Sequence, residues 1–115
     1  MDTQTIVVLA SAVLVFGALW YLKRPDISGA AARDLLGKGA RLVDVRTPAE
    51  FATAHLEGAR NIPVGELGRR SGELGGKERP VIVYCASGAR SGAAKRMLKS
   101  AGFAEVYNLG AMGNW

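Results

Sequence analysis

Cysteine is nearly absent: there is one, Cys85, in 115 residues. No internal disulfide can form, and such usage fits a reducing compartment. Histidine is also single, so the chain holds no Cys/His cluster of the kind that binds structural zinc or an iron–sulfur centre. Aromatic residues make up 7% of the chain, and none are interleaved with a basic strand, which argues against a nucleic-acid surface. There is no internal repeat and no low-complexity tract. One stretch lacks charge altogether, from Thr5 to Leu22.

That uncharged run is 18 residues long. As a helix it spans roughly 27 Å at about 1.5 Å per residue, close to the hydrocarbon thickness of a bilayer. Trp20 and Tyr21 stand at its end, where amphipathic rings favour the headgroup level, and Lys23 and Arg24 follow at once. A cleaved signal peptide is the competing reading. The start lacks a basic region, however, the apolar run is long, and no small-x-small cleavage site follows Leu22 before the charges. The expectation is one transmembrane helix through residues 5–22 within an anchor segment 1–24, followed by a domain over 25–115. Met1 to Gln4 carries no Lys or Arg, whereas the far flank is basic. The positive-inside tendency then predicts a single-pass inner-membrane protein with its amino terminus outside and its domain facing the cytoplasm.

The formal net charge is +5, and every one of the 15 basic residues lies from Lys23 onward. Such an excess suits an anionic lipid surface or an anionic small molecule. The Lys and Arg residues are scattered, and nucleic acid is not expected as a partner.

Beyond the anchor, hydrophobic periodicity alternates between two patterns. Ser28 can cap a helix through Leu36, which Gly37 and Gly39 stop. Leu42 to Arg46 reads as a strand with Asp44 and Arg46 on one face, away from Val43 and Val45. Thr47 and Pro48 open the next helix, on which Glu50 is expected to pair with Arg46. His55, the single histidine, is a candidate either for a general base or for a structural hydrogen-bonding group. Asn61-Ile62 suggests a short strand, and a glycine-broken helix runs from about Val64 to Leu74. Val81 to Tyr84, launched by Pro80, is apolar and β-branched and reads as a strand buried on both faces. A helix follows it, and Glu105 to Leu109 is the last strand. Alternating strands and helices predict an α/β domain, a small parallel sheet with helices on both faces.

Cys85 falls at the carboxyl end of the central strand, the edge at which open α/β sheets bind ligands. Ala86, Ser87, Gly88 and Ala89 are small enough for the backbone to curl tightly and aim several N–H groups into one concavity. The following helix offers its positive end, and Arg90 adds a forked donor set. All of these favour the thiolate, the nucleophilic form of cysteine. Ser91 is expected to cap the helix.

The stretch Cys85-Ala-Ser-Gly-Ala-Arg90-Ser91 resembles the active-site loop of rhodanese-type sulfurtransferases, Cys-x-x-Gly-x-Arg-Ser. Leu42-Val43-Asp44-Val45-Arg46 with Glu50-Phe51, His55 to Pro63, and Val106 to Gly110 running on to Trp115 are similar to further motifs of that family, in the same order. Two departures are visible. Ala111 stands where the family's closing pair has its second glycine, and the helix that commonly follows the tryptophan is not in this chain.

The resemblance implies a sulfurtransferase. Cys85 would take a sulfane sulfur from a small anionic donor such as thiosulfate, become a persulfide, and pass the sulfur to cyanide or to a small or protein thiol. Ala86, Ser87, Gly88, Ala89, Arg90 and Ser91 would form the substrate-binding collar, with no metal and no cofactor. A cysteine-dependent phosphatase or arsenate reductase of related fold is the runner-up. Here four residues separate Cys85 from Arg90, whereas the phosphatase pattern has five. A third reading is a tethered rhodanese-like module that docks a protein partner without significant turnover.

Overall fold

A computed structural model describes every residue from Met1 to Trp115. The apolar run forms α1, Thr3–Lys23, with Asp2 at its amino end accepting a hydrogen bond from the Thr5 N–H at 2.7 Å. None of its residues is buried. By length and composition α1 can cross a membrane, a test that a signal sequence in this position also passes.

After α1 come α2 (Gly29–Gly37), β1 (Arg41–Asp44), α3 (Pro48–Thr53), β2 (Arg60–Asn61), α4 (Leu67–Arg70), β3 (Val81–Cys85), α5 (Ala89–Ser100) and β4 (Val106–Ala111). The four strands form one sheet in the order β2-β1-β3-β4, parallel throughout. The expected small parallel sheet is present, and β3 lies inside it.

Alternation along the strands divides the core into two layers. Val43, Val45, Val81, Val83 and Cys85 face α4 and α5, where Leu67, Ala94 and Leu98 meet them. Leu42, Ile82 and Tyr84 face the other way, onto Ala32 and Leu35 of α2 and onto Trp115. Every residue of β3 is buried, as its apolar composition predicts for a strand covered on both faces.

Local rules account for most element ends. The Ser28 hydroxyl caps α2 by accepting from the Ala31 N–H, and Thr47 and Glu50 form a reciprocal capping box around Pro48 on α3. The single helix expected over 64–74 is instead three short pieces, a 3₁₀ turn at Val64–Glu66, α4, and a second 3₁₀ turn at Ser71–Leu74. Gly65, Gly68 and Gly72 weaken a continuous helix there. The strand expected through Arg46 ends at Asp44, whose carboxylate takes the Arg46 backbone N–H at 2.8 Å.

The residues after α1 close an open sheet edge. The Asp26 N–H donates to the Asn108 carbonyl at 2.9 Å, and its carboxylate accepts from the Asn108 N–H at 2.6 Å. Asp26 also pairs with Lys95 of α5. Pro25 and Asp26 therefore lie on the outer edge of β4, which would otherwise present unpaired backbone groups.

Candidate active site

The site is built where β3 ends and α5 begins. Cys85 closes the strand, and Ala86 to Gly88 turn the chain into the helix. Gly88 adopts φ +94°, a left-handed conformation that favours glycine. A Cβ at this position would collide with the Lys23 carbonyl oxygen and lie 3.5 Å from Gly110 Cα. Two independent constraints, backbone angle and close packing, therefore require glycine here.

That turn aims donors at the sulfur. The Gly88 N–H donates to Cys85 Sγ at 2.9 Å, and the Ser91 hydroxyl lies 3.3 Å from the same atom. Cys85 is fully buried. Burial pushes the thiol up, but hydrogen bonds from the Ser91 hydroxyl and from the Ser91, Ser87 and Gly88 backbone outweigh it, and the thiol lies below its ordinary value. The groups that bear on Sγ itself come from Ser87, Gly88 and Ser91.

Ser91 was expected to cap α5, and it does not. The cap position belongs to Gly88, with no side-chain cap, and the Ser91 side chain is buried against the sulfur one turn in. The tight turn starts the helix early, so Ser91 comes around to the inner face.

The charged residues pair differently from the sequence expectation as well. Arg46 was expected to meet Glu50. It instead holds Asp44, with Nη2 to Oδ2 at 2.7 Å, and donates to the Ala54 carbonyl at 2.6 Å. Asp44 is completely buried, and Asn61 bonds the Asp44 and Arg46 carbonyls from the neighbouring strand. Glu50 is left to Arg90, whose Nη1 and Nη2 donate to its two carboxylate oxygens at 2.6 and 3.0 Å. That fork holds the Glu50 carboxyl down at about 2. Arg90 therefore flanks the loop with its charge already engaged. It still feels a negative charge on Cys85, which, behind the Glu50 bonds, helps to keep its guanidinium protonated.

His55 sits away from this chemistry. Its ring stacks on Phe51 with centroids 3.7 Å apart, and Nδ1 meets the Phe51 carbonyl at 2.8 Å. No three His, Cys, Asp or Glu side chains form a group that could hold a metal ion. A cleft of about 440 Å³ lies among Leu36, Arg41, Arg60 and Leu74, and none of the Cys85 loop lines it.

Comparison with known proteins gives a consistent assignment. Residues 28–115 match the family described as the rhodanese-like domain. The chain is 33% identical to YqhL of Bacillus subtilis over 119 aligned residues, covering 100% of this chain and 94% of that one. It is 38% identical over 71 residues to the thiosulfate sulfurtransferase PspE of Escherichia coli, covering 61% of this chain and 68% of the relative. Among solved structures, the human single-domain sulfurtransferase TSTD1 superposes with a TM-score of 0.68 at 31% identity, over 80% of this chain and 92% of that one. Family match, relatives and solved structures agree on the region beyond α1, and the chain belongs to the rhodanese-like domain family.

Proposed function

We propose that this protein is a membrane-anchored sulfurtransferase in which Cys85 carries the transferred sulfur as a persulfide. The observation that carries the reading is the sulfur itself: it accepts the Gly88 N–H at 2.9 Å and faces the Ser91 hydroxyl. A structural thiol has no use for such donors, whereas a thiolate nucleophile does. The names of PspE of E. coli and TSTD1 of human, both sulfurtransferases, support the same reading.

The Cys85 thiolate attacks the outer sulfur of thiosulfate. A Cys–S–S bond forms, the sulfur–sulfur bond of the donor breaks, and sulfite leaves with the electron pair. Cyanide or a thiolate then attacks the terminal sulfur, forming thiocyanate or a persulfide and returning the Cys85 thiolate. The Ser87, Gly88 and Ser91 donors stabilise negative charge on sulfur throughout, and the positive end of α5 adds to them. Arg90 attracts the anionic donor from its place beside Glu50.

Residues 1–24 serve as the anchor and 25–115 as the domain. The uncharged run, the aromatic end and the basic flank support a single-pass inner-membrane placement with the domain in the cytoplasm. The alignment with YqhL extends over the whole of this chain, residues 1–24 included.

Full burial of Cys85 favours one alternative, a docking module in which the thiol is never reached. The test uses the full chain in detergent with thiosulfate, followed by intact mass. A gain of one sulfur atom, removed by cyanide and absent in Cys85→Ser, is the expected result. Aryl phosphate hydrolysis without persulfide would indicate a phosphatase, and silence in both assays would leave the docking module.

A further inference from the structure

The end of α1 is built into the domain. The Leu22 carbonyl oxygen lies against Gly92 of α5 so closely that a Cβ there would collide with it, as a Cβ on Gly88 would with the Lys23 carbonyl. Beside this junction is a second cleft, of about 200 Å³, lined by Tyr21, Arg24, Asp26, Lys95, Arg96 and Asn108 among others. Its charges are unbalanced. Asp26 is committed to Lys95 and to the Asn108 N–H, while neither Arg24 nor Arg96 has a carboxylate within ion-pair distance. Arg24 lies over the Tyr21 ring, 4.5 Å from its centroid, and 5.9 Å from that of Trp20.

Depth identifies the occupant. Through 21 residues α1 rises roughly 31 Å, the thickness of a hydrocarbon core, so its last turn emerges among headgroups. The cleft opens at that turn, lined by Tyr21, a ring of the kind that settles at the interface, and by the cations Arg24 and Arg96, of the kind that anionic headgroups attract. A phosphodiester fits the chemistry: an anion for Arg24 and Arg96, the two cations of the cleft without a carboxylate partner.

We propose that this cleft binds the phosphate of an anionic phospholipid, holding the carboxyl end of α1 against the helix that starts at the Cys85 loop. The proposal rests on the reading of α1 as a membrane anchor.

The full chain is reconstituted in nanodiscs containing phosphatidylcholine and phosphatidylglycerol, and lipids retained on release are identified by native mass spectrometry. The wild type is expected to retain phosphatidylglycerol in preference to phosphatidylcholine. R24Q/R96Q is expected to lose that preference several-fold, while K38Q/K99Q, which removes the same charge elsewhere, keeps it. Circular dichroism confirms that both variants are folded. Equal retention by all three proteins would reduce the effect to general membrane charge and overturn the assignment. So would protection of the detergent-solubilised chain from heat by inorganic phosphate as strong as that by phosphatidylglycerol, which would mean a soluble anion site. Alkaline extraction of native membranes separates the two levels. If the chain is released, the anchor reading falls and this proposal with it; if it stays and no lipid is selected, only the cleft assignment falls.

Discussion

Glu50 and Arg90, forty residues apart in the chain, form a two-pronged ion pair at the mouth of the Cys85 loop, with oxygen–nitrogen distances of 2.6 and 3.0 Å. The pair joins α3 to α5 across the carboxyl edge of the sheet. It also restrains the one arginine that flanks the sulfur.

Removing the Glu50 charge while keeping its shape therefore unbalances Arg90. Glu50→Gln retains a side chain that can complete the capping box with Thr47. The expected outcome is a lower KM for thiosulfate, by a few-fold, and a Cys85 thiol that ionises at lower pH. Arg90→Ala is expected to do the opposite. Steady-state kinetics with thiosulfate and cyanide check both, and an unchanged KM in both variants would remove Arg90 from donor attraction. The same pair bears on acid stability. With a folded-state value of about 2 against an ordinary 4.5, Glu50 stabilises the fold fully above the higher value. That contribution fades as pH falls towards the lower one, and Glu50→Gln should flatten the acid limb of the unfolding curve.

Ser91 offers a cleaner test of the sulfur. Its hydroxyl is the largest of the hydrogen-bond effects that hold the thiol down against burial. Ser91→Ala should move the midpoint of iodoacetamide reactivity to higher pH and slow alkylation at neutral pH several-fold. Thermal stability should change little. In the wild type the depressed thiol stabilises the fold fully above its unfolded value, and the benefit disappears as pH falls through the folded one. An alkylation profile indistinguishable from that of a free thiol would exclude the ionised sulfur.

Asp44 is a structural requirement of a different kind. Its carboxylate is completely buried beneath Arg46, whose side chain is 8% exposed. Asp44→Ala strands a buried guanidinium, a loss of about 3–5 kcal/mol. In a domain of this size that is expected to lower Tm by roughly 10 °C or more, measured by circular dichroism. A drop no larger than that of an exposed pair such as Lys38–Asp34 would show that the buried pair adds little.

Gly92 separates domain stability from anchor docking. An alanine inside a helix is favoured over glycine by about 0.5–1 kcal/mol. In a chain beginning at Pro25, Gly92→Ala should raise Tm by a few degrees, because nothing else there resists a Cβ. In the full chain the Leu22 carbonyl occupies that space, so the rise should vanish or reverse. An equal rise in both chains would mean that α1 does not dock on α5.

Most elements, and the position of Cys85 at the carboxyl end of β3, were readable from local patterns. A β-branched run after Pro80 with a cysteine at its end, and small residues before Arg90, specify a strand and a tight turn, because backbone propensity and side-chain size act over a few residues. The caps at Ser28 and Thr47 were legible for the same reason. Tertiary structure decided the pairings. Asp44 and Glu50 are both within reach of Arg46 by spacing, and only the packing of α3 beside α5 gives Glu50 to Arg90 and leaves Arg46 with Asp44. The role of Ser91 depended on where α5 begins, which is set by the left-handed turn at Gly88. Contacts between distant segments have no signature in spacing, since the geometry that makes them exists only once the sheet has formed.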